Sequence, residues 1–249
     1  MIEIHPITGL PEIAAGDDLA ALLADALAPQ GLRAGDVVAV TSKIVSKAEG
    51  SVARLSEVVP DQAAIDLAAK TAKDPKLVTL VLAESSAVVR AVPGVLIVRH
   101  RLGMVMANAG IDQSNAGPDG ADLALLLPRD PDGSARTIAD GLAARLGQRP
   151  AVVITDSFGR PWRGGVVNVA LGCCGLPTLH DKRGEADRDG RTLQATEVAY
   201  ADLIASAAGL AMGEGAEGVP AALLRGLALP PGDMPATALL RPAHQDLFR

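Results

Sequence analysis

The sequence predicts a mixed α+β fold, with largely antiparallel sheets and packed helices and with room for two lobes, and not a Rossmann or P-loop arrangement. Three observations predict it. β-branched runs and alanine-rich helical periods are interleaved irregularly, without the regular alternation of a doubly wound sheet. Two strand candidates, Val95 to Val98 and Met104 to Met106, lie too close for a crossover helix and suit an antiparallel hairpin. Gly213 to Gly218 reads G-x-G-x-x-G, but a helix precedes it and a strand follows, the reverse of the dinucleotide-binding context, and no G-x-x-x-x-G-K-[ST] occurs.

Each element has its own local signal. Alternating Ile2 and Ile4 predict a short first strand, which Pro6, Gly9 and Pro11 turn into a loop. After Asp17 and Asp18, apolar residues at Leu19, Leu22, Leu23, Ala26 and Leu27 follow a helical period that ends near Pro29. Val37 to Val40 reads as a buried strand leading into the polar stretch TSKIVSKAEG. Helices are expected over Gln62 to Lys73, Pro75 to Glu84 and Ala135 to Leu146. AVVIT, Ala151 to Thr155, is a strand expected to stop at Asp156, and Val166 to Cys174 is another. The longest helix is predicted over Thr192 to Met212, with a last strand near Ala221 to Leu224. No linker, repeat or low-complexity tract divides residues 1–249, which read as one unit.

Composition removes several function classes. The 249 residues are 49% hydrophobic and 21% charged with net charge -6, an ordinary globular balance without charge blocks. That argues against a nucleic-acid partner. The four aromatics, Phe158, Trp162, Tyr200 and Phe248, offer no platform for stacking bases. The N-terminus lacks the basic flank and apolar run of a secretory signal, no stretch suits a bilayer span, and two adjacent cysteines, Cys173 and Cys174, make no disulfide framework. A cytoplasmic protein without a membrane partner is expected.

The candidate chemistry begins with carboxylates. Asp112 follows NAGI and Asp156 follows AVVIT, places where a strand tip can hold a carboxylate toward a hard divalent cation such as Mg²⁺ or Mn²⁺. By spacing alone, turn capping is the stronger reading of both. Ser157 can add a hydroxyl ligand. Glu214, in the glycine-rich stretch, suits a phosphate only with a cation between them, and a glycine helix stop is the competing reading. Lys43 and Lys47, with Ser42 and Ser46 beside them, can neutralise phosphate oxygens or merely solvate a strand end. Arg160, Arg163, Lys182, Arg183, Arg188 and Arg191 form a basic surplus that suits an anionic substrate. Four dispersed histidines make no zinc-hydrolase spacing, there is no G-x-S-x-G nucleophile elbow, and the cysteines read as core.

Seven segments in order carry a resemblance across nearly the whole chain: ITGLPEI, TSKIVSKAEG, NAGIDQSN, LLPRDPDGSA, VITDSFGRPWRGGVVNVALG, the D-x-x-G-x-x-D-x-x-GR spacing from Asp181 to Arg191, and MGEGAEGVPA. Together they resemble the coenzyme F420-0:γ-glutamyl ligases, in the stand-alone form that lacks a C-terminal nitroreductase-like domain. The resemblance implies a GTP-dependent ligase of coenzyme F420 biosynthesis. It would form an amide between the carboxylate of coenzyme F420-0 and L-glutamate, with further γ-linked additions open to it. GTP is the implied co-substrate, with two Mn²⁺ or Mg²⁺ ions and a place for a monovalent cation, in a homodimer. Carried over residue by residue, Asp112 and Asp156 would hold one metal and Ser157 and Glu214 a second, with Asp112, Asp156 and Lys47 catalytic. Nucleotide contacts would come from Leu10, Pro11, Glu12, Ile13, Ser42, Lys47, Asn115, Met212, Gly213, Glu214, Gly215, Ala216, Glu217, Gly218 and Val219. Ser157 stands where threonine is common, which keeps the hydroxyl; Arg188 stands where apolar residues are common, which leaves the deazaflavin contacts open.

The implied chemistry is uphill. A carboxylate and an amine do not condense in water, so the carboxylate must first take the GTP γ-phosphate as an acyl phosphate, which the amine then displaces. Both partners of the first step are anions, which is why cations and lysines belong in one pocket.

Overall fold

The computed structural model describes residues 1–114 and 122–246. In chain order its elements are β1 (Glu3–Ile7), α1 (Leu19–Leu27), β2 (Val37–Thr41), α2 (Ser42–Ala48), β3 (Val52–Arg54), α3 (Gln62–Thr71), α4 (Pro75–Ala83), β4 (Ser85–Val92), β5 (Val95–His100), β6 (Val105–Ala107), β7 (Leu123–Leu125), α5 (Pro131–Leu146), β8 (Ala151–Arg160), β9 (Arg163–Cys174), β10 (His180–Asp181), β11 (Glu197–Val198), α6 (Tyr200–Met212) and β12 (Ala221–Arg225). Their arrangement is α+β with mostly antiparallel pairing, as the interleaved pattern predicts.

The central sheet has the order β1-β12-β2-β8-β9, and only β2 and β8 pair in parallel. Side chains alternate across a strand, so β2 feeds two cores at once. Val38 and Val40 pack with Leu23 and Leu27 of α1 and with Ile138 and Leu142 of α5. Val37 and Ala39 pack on the other face with Ile204, Ala205 and Ala208 of α6. Burial on both faces is why VVAV reads as a continuous apolar run. A third cluster lies outside this sheet: Ala64 and Ala68 of α3, Val78 and Val81 of α4, and Leu96 and Val98 of β5, beneath the β4-β5-β6 sheet. These are the two lobes.

Caps account for the helices read most accurately. Asp18, Asp61 and Asp74 accept backbone N–H bonds at the starts of α1, α3 and α4. The β5–β6 pair is the antiparallel neighbour that the spacing predicts.

Other boundaries differ, each for a tertiary reason. β1 runs through Pro6 to Ile7 because it is an edge strand, where a missing N–H costs the sheet nothing. TSKIVSKAEG is largely helix, α2, begun directly at the end of β2. β4 follows α4 at once, a strand the sequence did not announce. α5 starts at Pro131 instead of Ala135, since Asp130 caps it and proline suits the first turn. β8 does not stop at Asp156 but continues to Arg160 because β9, itself begun at Arg163, pairs with it throughout. The last long helix begins at Tyr200, not Thr192: residues before it are tied instead into β10–β11 and the turns between them.

Candidate active site between the lobes

The direction of the strands brings the candidate segments together. β12 runs antiparallel to both β1 and β2, and β8 is parallel to β2, so β1, β2 and β8 point the same way. The loop Leu10 to Ile13 leaves the end of β1, α2 leaves the end of β2, Asp156 follows the last β2-paired residue of β8, and the glycine-rich stretch enters β12 at the same edge. The amide of Thr41 donates to Pro220 O at 2.9 Å, fixing that entry against the start of α2. Strand ends gathered at one sheet edge are a recurrent place for ligands.

A cleft of about 750 Å³ opens there, between this edge and the smaller lobe. Ser42, Lys43, Ser46, Asp112, Ser114, Asp156, Ser157 and Glu214 line it, as do Arg90, Ile97, Met106 and Arg160.

Lys43 is the positive centre of the first group. Its ammonium stands 2.7 Å from Asp112 Oδ2 and donates to Ser114 Oγ at 3.0 Å. Asp112 also accepts the Ser114 amide at 2.7 Å and hydroxyl at 2.9 Å, so it does cap a turn while facing the cleft. Burial pushes its carboxyl up, but the Lys43 and Ser114 bonds outweigh burial and hold it below the usual carboxylate range. Asp156 caps no helix and sits inside β8. Burial pushes its carboxyl up to about 7 against the pull of the Ser157 amide and the Lys43 charge, and the Asp112 charge adds to the rise.

Ser157 and Glu214 form the second pair. Ser157 Oγ donates to Glu214 Oε2 at 2.5 Å, and Asn168 Nδ2 donates to Glu214 Oε1 at 2.6 Å. Asn168 is buried on β9, and Gly209 of α6 makes room for it: a Cβ there would collide with Asn168 Nδ2. Glu217 turns back into its own loop, accepting the Gly215 amide at 2.7 Å, and the absence of a side chain on Gly213 admits it. Met212 ends α6 in the core, while Glu214 is the one carboxylate of this stretch that lines the cleft.

The remaining expected contacts are less uniform. Lys47 is ion-paired with Glu12, tying the Leu10–Ile13 loop to α2, and does not line the cleft. Pro11 and Glu12 are exposed, whereas Ile13 is core and Leu10 packs against it. Asn115 lies outside the described residues. Asn168, Ser114 and Arg90 escaped the sequence reading as site residues. Only Ser114 left a signal, as the Asp-x-Ser turn in NAGIDQSN.

The donor set fits a hard divalent cation. Every candidate ligand is an oxygen, the Asp112 charge is close enough to raise the proton affinity of Asp156, and an ammonium already sits beside Asp112. Among the described residues no three of His, Cys, Asp and Glu converge as a metal group. Paired oxygen donors, with the other positions left to water and phosphate, are the habit of Mg²⁺ sites. Ser46 Oγ is buried with no hydrogen-bond partner in the same wall, a donor awaiting a polar ligand.

Comparison with known proteins decides the family: the model described as F420-0:Gamma-glutamyl ligase matches residues 8–226. The chain belongs to that family. The chain is 45% identical over 254 residues to the coenzyme F420:L-glutamate ligase of Methanothermobacter thermautotrophicus, covering 100% of this chain and 99% of the relative. It is 44% identical to the ligase of the same name in Methanopyrus kandleri, covering 100% and 98%, and 47% identical to that of Halobacterium salinarum, covering 88% and 85%. The matched span reaches from the Leu10–Ile13 loop to β12 and so includes every candidate site residue.

Proposed function

We propose that the protein is an enzyme that joins the carboxylate of coenzyme F420-0 to the amine of L-glutamate at the expense of GTP, through an acyl phosphate. One observation carries the reading: Lys43, Asp112, Asp156, Ser157 and Glu214, from four separated stretches, line one cleft in a member of this ligase family. Further γ-linked additions use the same chemistry, since each product ends in a new carboxylate. Asp112 and Asp156 would hold one Mn²⁺ or Mg²⁺, and Ser157 and Glu214 a second. When bound, such ions draw negative charge off the γ-phosphate and the acceptor carboxylate.

The chain's own groups do the rest. Lys43 offsets the repulsion between two approaching anions, and the Ser46 hydroxyl donates to a phosphate oxygen. Asn168 fixes one oxygen of Glu214 and Ser157 donates to the other, so that Ser157 and Glu214 would be held together to take an ion. The loops at Leu10–Ile13 and Met212–Val219 would flank the nucleotide, with Ser42 beside it; Lys47 would serve by holding the first loop through Glu12, Asn115 is carried over from the family resemblance alone, and a monovalent cation can serve the same phosphates. The amine attacks the carbonyl carbon of the acyl phosphate and phosphate leaves. The enzyme would act as a homodimer in the cytoplasm, where both its cysteines stay free.

The test is purified protein with GTP, Mn²⁺, L-glutamate and F420-0. GDP release that requires both acids, with an amide product of the expected mass, supports the reading. GDP release indifferent to either acid makes the protein a phosphohydrolase instead.

A further inference from the structure

Two cations in the cleft have no part in the chemistry above. Arg160 lies on β8, four residues beyond Asp156, ~13 Å along an extended strand. Its Nη2 donates to Gly164 O at 3.0 Å, which braces the β8–β9 turn, but its Nε is buried with no hydrogen-bond partner. Arg90 comes from the other lobe, on β4 opposite Ile97, and both of these residues line the cleft. A register shift precedes each arginine, between Val88 and Arg90 and between Gly159 and Arg160. Such irregularities re-aim a side chain and are common beside active sites.

Neither guanidinium has a carboxylate partner among the described residues. Of the basic surplus in which the sequence grouped Arg160, Arg183 is held by Asp181 and Glu197 and Lys182 by Glu185, while Arg163, Arg188 and Arg191 do not line the cleft. A buried N–H with no acceptor is unfavourable unless a ligand supplies one. The planar fork of arginine matches a carboxylate better than any other anion-binding side chain does.

We infer that Arg90 and Arg160 are specificity-determining cations of the cleft that take the non-reacting carboxylates of the acid substrates. The inference rests on the ligase reading and deepens it. A carboxylate there can belong to L-glutamate, which brings two besides its amine, or to the deazaflavin acid. The positions explain how a site that must activate one carboxylate tells its substrates from other amines and acids.

The experiment is a KM series for L-glutamate, F420-0 and GTP with Arg90→Gln, Arg160→Gln and the two lysine variants. Either glutamine variant should raise the KM for one acid about ten- to a hundredfold, with GTP within about twofold, and lysine should restore only part. Which acid responds names the source of the carboxylate. Unchanged KM values for both acids, or a GTP value rising in step with them, overturn the clamp. Arg160→Gln can loosen the hairpin through Gly164, so Arg90→Gln, which removes no described bond, is the decisive variant. Should the wild type form no amide, the ligase reading fails by itself. Calorimetric titration of L-glutamate and F420-0 into wild type and Arg90→Gln then reads the clamp directly: weaker binding of one acid to the variant supports it, and equal affinities or no binding overturn it.

Discussion

Lys43 Nζ lies 2.7 Å from Asp112 Oδ2, joining the start of α2 to a turn of the other lobe across the mouth of the cleft. Lys43→Met removes the charge that holds Asp112 low and partly offsets burial at Asp156. Turnover in the ligase assay should fall about a hundredfold or more, the scale of losing one electrostatic donor to a transition state. Retention of wild-type turnover would remove Lys43 from the chemistry.

Asp156 gives a pH dependence with a definite sign. Its folded pKa, about 7, lies above the unfolded value near 3.8, so the folded chain binds more protons between them. The associated stability is fully present below about pH 4 and is lost as pH rises through about 7. Asp156→Asn should therefore stabilise the metal-free protein at pH 8 by on the order of 1–3 kcal/mol, and little at pH 4, while abolishing ligation. Urea unfolding with chelator at both pH values checks it, and identical curves for the two proteins would contradict the burial argument.

Gly209→Ala improves helix propensity yet puts a Cβ onto Asn168 Nδ2. Displacing Asn168 frees Glu214 from its 2.6 Å bond, so activity should fall at least about tenfold with a stability loss of about 1–3 kcal/mol. In an Asn168→Ala background the same change should cost nothing further. Additive losses in that double-mutant cycle would show that the two residues do not act through each other.

Arg225 and Asp36 supply a control far from the cleft. Arg225 Nη2 donates to Asp36 Oδ2 at 2.7 Å and to Gly31 O at 2.9 Å, at the opposite end of β12 from the glycine-rich loop, and Asp36 is buried. Arg225→Met strands a buried carboxylate and should destabilise by about 3–5 kcal/mol. The folded fraction should keep its KM for all three substrates; a changed KM would mean the pair reaches the site.

Local chemistry is what the sequence by itself determined. Asp17 and Asp18 marked the start of α1, alanine-rich stretches marked α3 and α4, a doubly covered strand gave the run at Val37 to Val40, and seven ordered segments carried the ligase family. All of these depend on residues close along the chain, or on their order. What only the tertiary structure decided depends on partners far apart in sequence. β8 passes through Asp156 because β9 hydrogen-bonds it, a pairing invisible in AVVITDSFGR. Asp112 is both a turn cap and a cleft residue because α2 folds back to deliver Lys43 to it. Arg90 sits in a strand with no chemical motif, and a register shift against β5 brings it to the cleft. Periodicity and capping are short-range and can be read from the chain. Register, burial and charge pairing across the cleft arise only when the two lobes are packed together, since solvation and Coulomb forces act through space.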